Sequence, residues 1–312
     1  MKLETVANLT IALLFGVIAG ILGLVLYLGG FPGAFGIAIS LIFSLIILAL
    51  QWYLSPFIIV FMTGARELEK NEYPIVHTSV EGLAKRSGIP APKLWIVNDG
   101  TPNAFAFGRG QRDANIAVHI GLVHMLNDRE VESVLAHEMG HIKHRDMVIM
   151  TIASVIPILL YYSAITALSW GRRRDERGPS PIAVMLGGLL ARFVGQLLVM
   201  WLSRLREFDA DEFSARMTKP QHLMSALAKI SYTQRKTNDA LGSLYIAENT
   251  GEDANRLARY VKMPVSELQD ALAREEKSGF MEIFMTHPRT SRRLLALSKL
   301  AYYRNILDSQ AS

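Results

Sequence analysis

The chain has 312 residues, half of them hydrophobic, a formal net charge of +5 and a mean hydropathy of +0.23. That balance is high for a water-soluble globule and points to membrane segments joined to one soluble domain. Cysteine is absent, which excludes disulfides and thiolate zinc sites, and the basic residues are scattered beside apolar stretches, which argues for a membrane surface and against nucleic acid.

Met1 to Glu4 is short and charged, and Val6 to Leu28 is then apolar apart from Asn8, Thr10 and glycines. That length is enough to cross a bilayer. A cleaved signal peptide is the rival reading. Its apolar core is usually shorter, and no clean small-x-small site precedes the next apolar run, so an uncleaved span is expected. Gly29 to Gly33 is an uncharged turn, and Phe35 to Leu54 is a second run, which gives a hairpin over residues 1–62. Pro56 is expected to end or kink it, with Phe57 to Met62 at the interface.

Residues 63–146 read as the first part of a soluble domain. Tyr73 to Ser87 has an amphipathic helical pattern, and Lys93–Val97, Asn103–Phe107 and Ala114–Ile120 read as strands of a small sheet. A helix is expected to begin near Asn127 or Asp128, both good caps. Met147 to Leu168 is a third apolar run, expected to continue that helix directly. Gly171 to Pro181 is an arginine-rich loop, and Ile182 to Leu202 is a fourth run, interrupted by Arg192 and Gln196. An arginine at that depth faces protein or water. Snorkelling or pairing inside the bundle is its plain reading, and a place on a substrate path is the other. Residues 147–202 therefore form a second hairpin, and 203–312 a helical second part of the soluble domain. Ser266 with Gln269 reads as a capping box, which predicts helix over Glu267 to Arg274.

The chemistry centres on Ala136-His137-Glu138-Met139-Gly140-His141-Ile142. Arg129 to Asp146 has no proline and one glycine, and Val131, Val134, Leu135 and Ile142 recur at helical spacing. His137 and His141 then share one face, one turn apart, and can bind one Zn²⁺. Glu138 is placed to take a proton from water that the metal acidifies. Two ordinary histidines would be the plain reading without a third ligand. Ser203-Arg204-Leu205-Arg206-Glu207-Phe208-Asp209-Ala210-Asp211 supplies one directly after the fourth run. Glu207 and Asp211 are an i,i+4 pair, so one acid can bind metal while the other orients a ligand histidine. Glu207 is read as ligand and Asp211 as its support toward His137, with Asp209 and Glu212 as fallback ligands. His144 lies roughly 10 Å of rise from His137, too far to be a third ligand from one helix, and is placed at the membrane surface.

With both segments read, the chain resembles the HtpX family of membrane zinc endopeptidases, relatives of the integral-membrane CAAX prenyl proteases. The resemblance covers nearly the whole chain. It implies a mostly α integral membrane protein with about four transmembrane helices and a gluzincin-like α+β zinc protease domain with a small sheet. It implies one Zn²⁺ per chain, with Glu207 as ligand and Asp211 as supporting acid. By the same resemblance Asn103-Ala104-Phe105 is a substrate-pairing edge strand, and His287 of Thr286-His287-Pro288 is a candidate to stabilise the oxyanion. Plain tethering of the C-terminal helices by His287 and Arg293 stays open beside that role. Asp146 matches a family position with an expected structural role.

Both ligand segments must meet at one metal, so the start of the third run and the end of the fourth lie on one side. Lys2, Arg66, Lys70, Lys143, Arg145, Arg204 and Arg206 favour a cytoplasmic active site in the cell membrane, and the arginine-rich loop conflicts with that count. The function expected is hydrolysis of peptide bonds in exposed segments of misfolded or damaged membrane proteins. The partners are the bilayer and membrane-protein or unfolded polypeptide substrates, without nucleic acid. The alternatives are a CAAX-type prenyl-protein protease and a non-enzymatic membrane scaffold with a structural metal. A site-2-type intramembrane protease fits less well, because Asp128, Arg129, Glu130 and Glu132 make the start of the metal helix polar.

Overall fold

The computed structural model describes residues 34–172, 180–234, 259–264, 267–268, 270–271 and 284–311. The described residues are mostly helical, with one small mixed sheet. In chain order they give α1 (Ala34–Thr63), β1 (Arg66–Glu67), α2 (Pro74–Ser87), β2 (Lys93–Val97), β3 (Ala104–Gly108), β4 (Ala114–His119), α3 (Ile120–Met125) and α4 (Asp128–Lys143). Then follow α5 (Asp146–Ala153), α6 (Ile156–Arg172), α7 (Pro181–Met217), α8 (Pro220–Gln234) and α9 (Thr290–Ala311). The first apolar run, the Gly29–Gly33 turn and most of the arginine-rich loop lie outside the described residues. Of the helix expected from Glu267 to Arg274, only 267, 268, 270 and 271 are described, and they are helical.

The chain divides into two compact units, Met1–Ser55 with Ile149–Val199 and Pro56–Val148 with Met200–Ser312. In the first, the apolar helices turn their side chains outward. Ile182, Leu186, Leu190 and Phe193 of α7 are all exposed. Asp146–Ile165 and Ile182–Met217 are long and apolar enough to cross a membrane, with best-window mean hydropathies of 2.1 and 2.0, yet only 11% and 22% of those windows are buried. Helices of a soluble core bury such faces, so these suit lipid. Leu48–Thr63 at the end of α1 is a shorter apolar stretch. Glycines let α6 and α7 approach: a Cβ on Gly195 would stand 2.7 Å from the Pro157 Cα.

The second unit is built on the sheet, ordered β1-β2-β4-β3. β2 runs parallel to β4, while β1 on β2 and β3 on β4 are antiparallel. The period-two alternation divides the strands cleanly. Leu94, Ile96, Ala104, Ile116 and Val118 join Val76, Val80 and Leu83 of α2 and Val131, Val134, Leu135 and Met139 of α4 in the main core. Val97, Phe105, Phe107 and Ala117 face the other way, against Ile59 and Val60 at the end of α1.

Helix α4 starts where the sequence places it. Asn127 accepts from the Arg129 and Glu130 amides, and Glu130 returns a bond to the Asn127 amide, which closes a capping box. Its far end departs from expectation. α4 stops at Lys143, and Arg145 takes a left-handed φ of 61° before α5 begins at Asp146. The metal helix therefore does not run on into the third apolar run. A single left-handed residue breaks the helix here, and no hydrophobic period reveals it.

Candidate metal centre

Close helix packing brings the ligand segments together. A Cβ on Gly140 would stand 3.0 Å from the Ala210 Cα, so glycine here lets α4 and α7 touch backbone to backbone. His137 Nε2 and His141 Nε2 lie 3.2 Å apart. Glu207 Oε2 is 3.6 Å from His137 Nε2, and Glu207 Oε1 is 3.5 Å from His141 Nε2. One ligand atom from each of the three residues lies within 4.8 Å of the others, a set that can hold a metal ion.

The donor chemistry fits such an ion. His137 Nδ1 is 2.9 Å from Asp211 Oδ1, and His141 Nδ1 is 2.7 Å from Asp146 Oδ2. An Nδ1–H donated to a carboxylate leaves the Nε2 lone pair facing inward on each ring. Two Nε2 atoms and a carboxylate oxygen then converge on one position, the donor set of a metal ion. Glu207 Oε2 is buried and accepts no well-aligned hydrogen bond, although Arg293 Nη1 is 3.2 Å away.

Electrostatics follow from burial and neighbours. Burial alone would lower the His137 pKa, but the Asp211 and Glu207 carboxylates outweigh it and raise it to about 9 in the metal-free site. Burial raises the Glu138 carboxyl above its ordinary value, opposed in part by the two histidines. Glu138 Oε2 accepts a 2.8 Å bond from the Ala106 amide of β3, which ties the acid to the sheet edge. Burial opposes charge on Arg293, and the Asp211 and Glu207 carboxylates more than offset it, so its guanidinium stays charged.

Every residue expected near the site lies in the second unit. Arg293 grips Asp211 with two bonds, Nε to Oδ2 at 2.8 Å and Nη2 to Oδ1 at 2.6 Å. His287 Nδ1 stands 3.0 Å from Glu207 Oε1. β3 is an edge strand. Asn103 O accepts from the His119 amide, so by alternation Asn103, Phe105 and Phe107 bond to β4, and Ala104 and Ala106 turn their backbone groups away from β4, where the Ala106 amide meets Glu138. The Phe105 backbone is taken by β4 and its ring belongs to the opposite face of the sheet, so Phe105 offers neither at the free edge. The fallback ligands are elsewhere: Asp209 pairs with Arg206, and Glu212 pairs with Arg216. His144 rests edge-on against Phe213, with ring centroids 5.8 Å apart.

Two contributors escape sequence reading. One is the Ala106 amide on Glu138, a backbone group without a residue signature. The other is Arg206, which reads only as a near-membrane charge but donates through Nε to Asp146 Oδ1 at 2.6 Å. Its adjacency to Glu207 is the one available hint.

This geometry meets its relatives here. Residues 70–301 match peptidase family M48. The chain is 37% identical over 236 residues to a protease HtpX homolog of Methanothermobacter thermautotrophicus, covering 73% of this chain and 86% of that one. It is 36% identical over 316 residues to a protease HtpX homolog of Aeropyrum pernix, covering 94% and 97%. A Burkholderia ambifaria protease HtpX homolog is 32% identical over 292 residues, covering 91% and 94%. In fold, the chain is similar to the crystal structure of S. mikatae Ste24p, with a TM-score of 0.59 and 22% identity, covering 94% of this chain. The chain spans 65% of that Ste24p chain, and the likeness shows fold alone. A metallopeptidase with apolar, outward-facing helices is thus defined. The chain belongs to peptidase family M48 and is a membrane metalloprotease like its HtpX relatives.

Proposed function

We propose that one Zn²⁺ per chain is held by His137, His141 and Glu207, and that the protein is an endopeptidase acting on exposed segments of misfolded or damaged membrane proteins. The observation that carries this is the convergence of both Nε2 atoms and the Glu207 carboxylate, with the two Nδ1 atoms already committed to Asp211 and Asp146. A bound zinc would acidify water and polarise a scissile carbonyl. Glu138 is the base that takes a proton from the attacking water and returns it to the leaving amine.

The open edge of β3 supports an extended substrate. The Ala104 backbone and the Ala106 carbonyl would bond the main chain of any sequence, the Ala106 amide being held by Glu138, so selectivity is loose, as disposal of damaged proteins requires. Asn103 adds its side chain as a candidate partner for the substrate backbone. His287, beside Glu207, is assigned to the oxyanion.

The reading extends to four spans in two hairpins, residues 1–62 and 147–202, joined to a catalytic domain of 63–146 and 203–312 on the cytoplasmic side of the cell membrane. Cleavage of that domain by a protease added outside intact cells would overturn the orientation. Glu138→Gln tests the chemistry: zinc content stays at one per chain, and cleavage of an unfolded substrate falls to background. Retained cleavage removes Glu138 from its role.

A further inference from the structure

The two ligand histidines are backed by matching series, His137–Asp211–Arg293 and His141–Asp146–Arg206. In the second, Asp146 divides its oxygens. Oδ2 takes His141 Nδ1 at 2.7 Å, and Oδ1 takes Arg206 Nε at 2.6 Å together with Nη2. Arg206 itself is braced on its outer side by Asp209 Oδ2 at 2.7 Å. Asp146 is 5% exposed, and it follows the left-handed Arg145 directly.

We infer that Arg206 is a positioning residue for the metal centre: its guanidinium holds the Asp146 carboxylate so that Asp146 fixes the orientation and tautomer of His141. The inference rests on the metal reading above. Arg206 immediately precedes Glu207 on α7, so one helix delivers a ligand and, through Asp146, sets the direction of another. The need for a fork follows from geometry. Asp146 is the first residue of α5, after a turn made by one residue, and local chain structure does not dictate its rotamer. Two guanidinium donors on Oδ1 pin that oxygen in place, and Oδ2 is left to meet Nδ1. Without the fork the carboxylate can rotate off Nδ1. The imidazole is then free to carry its proton on Nε2, which presents an N–H to the metal position where a lone pair is required.

The test is zinc affinity of the full chain in detergent or nanodiscs, measured by competition with a chromophoric chelator, plus the visible spectrum of the Co²⁺-substituted protein. Arg206→Gln is expected to weaken zinc about 10–100-fold, the usual range for losing a group behind a metal ligand, and to shift the cobalt spectrum. Asp146→Asn gives a similar loss, and the double variant loses little more than either alone. Arg206→Lys, which keeps the charge but not the fork, recovers part of the affinity. Asp209→Asn, which removes only the outer brace, stays within about threefold of wild type. Zinc binding by Arg206→Gln within threefold of wild type, or additive losses in the double variant, would overturn the proposal. So would a loss in Asp209→Asn equal to that in Arg206→Gln. Should Arg206→Gln fail to fold, as judged by melting of the metal-free chain, Arg206→Lys decides: an unchanged affinity and cobalt spectrum overturn the role. Glu207→Gln separates this from the parent reading. If it retains full zinc, the metal assignment itself fails. If it loses zinc while Arg206→Gln does not, only the role of Arg206 fails.

Discussion

His137 and His141 sit one turn apart on α4 and face one metal position, yet they are held in different places by different kinds of structure. His137 is backed by Asp211, which lies four residues after Glu207 on the same helix face, and Asp211 is gripped by Arg293. The Arg293 side chain is 1% exposed and reaches from α9 to Asp211 on α7. His141 is backed by Asp146, which stands beyond the end of its own helix, and by Arg206, whose side chain is 17% exposed. The inner support is made by helix packing and cannot be separated from folding. The outer support is made at the turn after α4, and its groups are more exposed than the inner pair. A metal site built this way has one ligand fixed by the core and one adjustable at the rim.

The largest effect is expected where the contrast is sharpest. Arg293→Ala leaves the buried Asp211 carboxylate without its partner and costs about 3–5 kcal/mol of stability, the range for breaking a buried ion pair. Denaturant unfolding of the metal-free chain measures it, and a loss below about 1 kcal/mol would erase the distinction between inner and outer supports. Asp146→Asn is the counterpart at the rim. It is expected to move the metal-free stability by less than Arg293→Ala does, while zinc affinity falls about 10–100-fold. A variant that unfolds as readily as Arg293→Ala would place both histidines under the same control.

Asp211 of the inner support follows from spacing, whereas Asp146 of the outer one enters only through the family resemblance, and its partner Arg206 not at all. Glu207 and Asp211 share a helix face by spacing alone, and the histidines of α4 do the same, so one pattern rule finds four of the groups. The sheet follows equally from alternation: β2, β3 and β4 appear within one or two residues of their expected limits. Spacing fails at Arg145. A left-handed residue that is not glycine carries no signature, so α4 reads as continuing into the apolar run, and nothing in the pattern turns Asp146 back at His141. Arg206 then reads as a surface charge, because its partner is hidden by the same turn. Arg293 is named as a support, but its depth in the fold depends on α9 packing on α8, a long-range contact outside the reach of local pattern.

The start of α4 offers smaller tests of the same idea, because it anchors the His137 end of the helix. Glu130 is buried there. Burial would raise its carboxyl, but bonds from Lys229, Ser225 and the Asn127 amide outweigh that and hold it below the ordinary carboxylate value. A folded pKa below the unfolded one adds stability above the unfolded pKa, and that stability is lost as pH falls through the folded value. Wild-type metal-free protein is therefore expected to lose stability below about pH 4.5, the ordinary value for this group, more steeply than Glu130→Gln. Parallel acid limbs in the two proteins would remove Glu130 from the account. Asn127→Ala is the gentlest change. It takes one acceptor from the first turn and should cost about 1 kcal/mol. If the core fixes His137 by packing and the cap serves only the helix end, zinc affinity in Asn127→Ala stays within about threefold of wild type while the melting temperature falls. A matching loss of zinc would mean that the inner histidine, like the outer one, depends on how its end of α4 is tied.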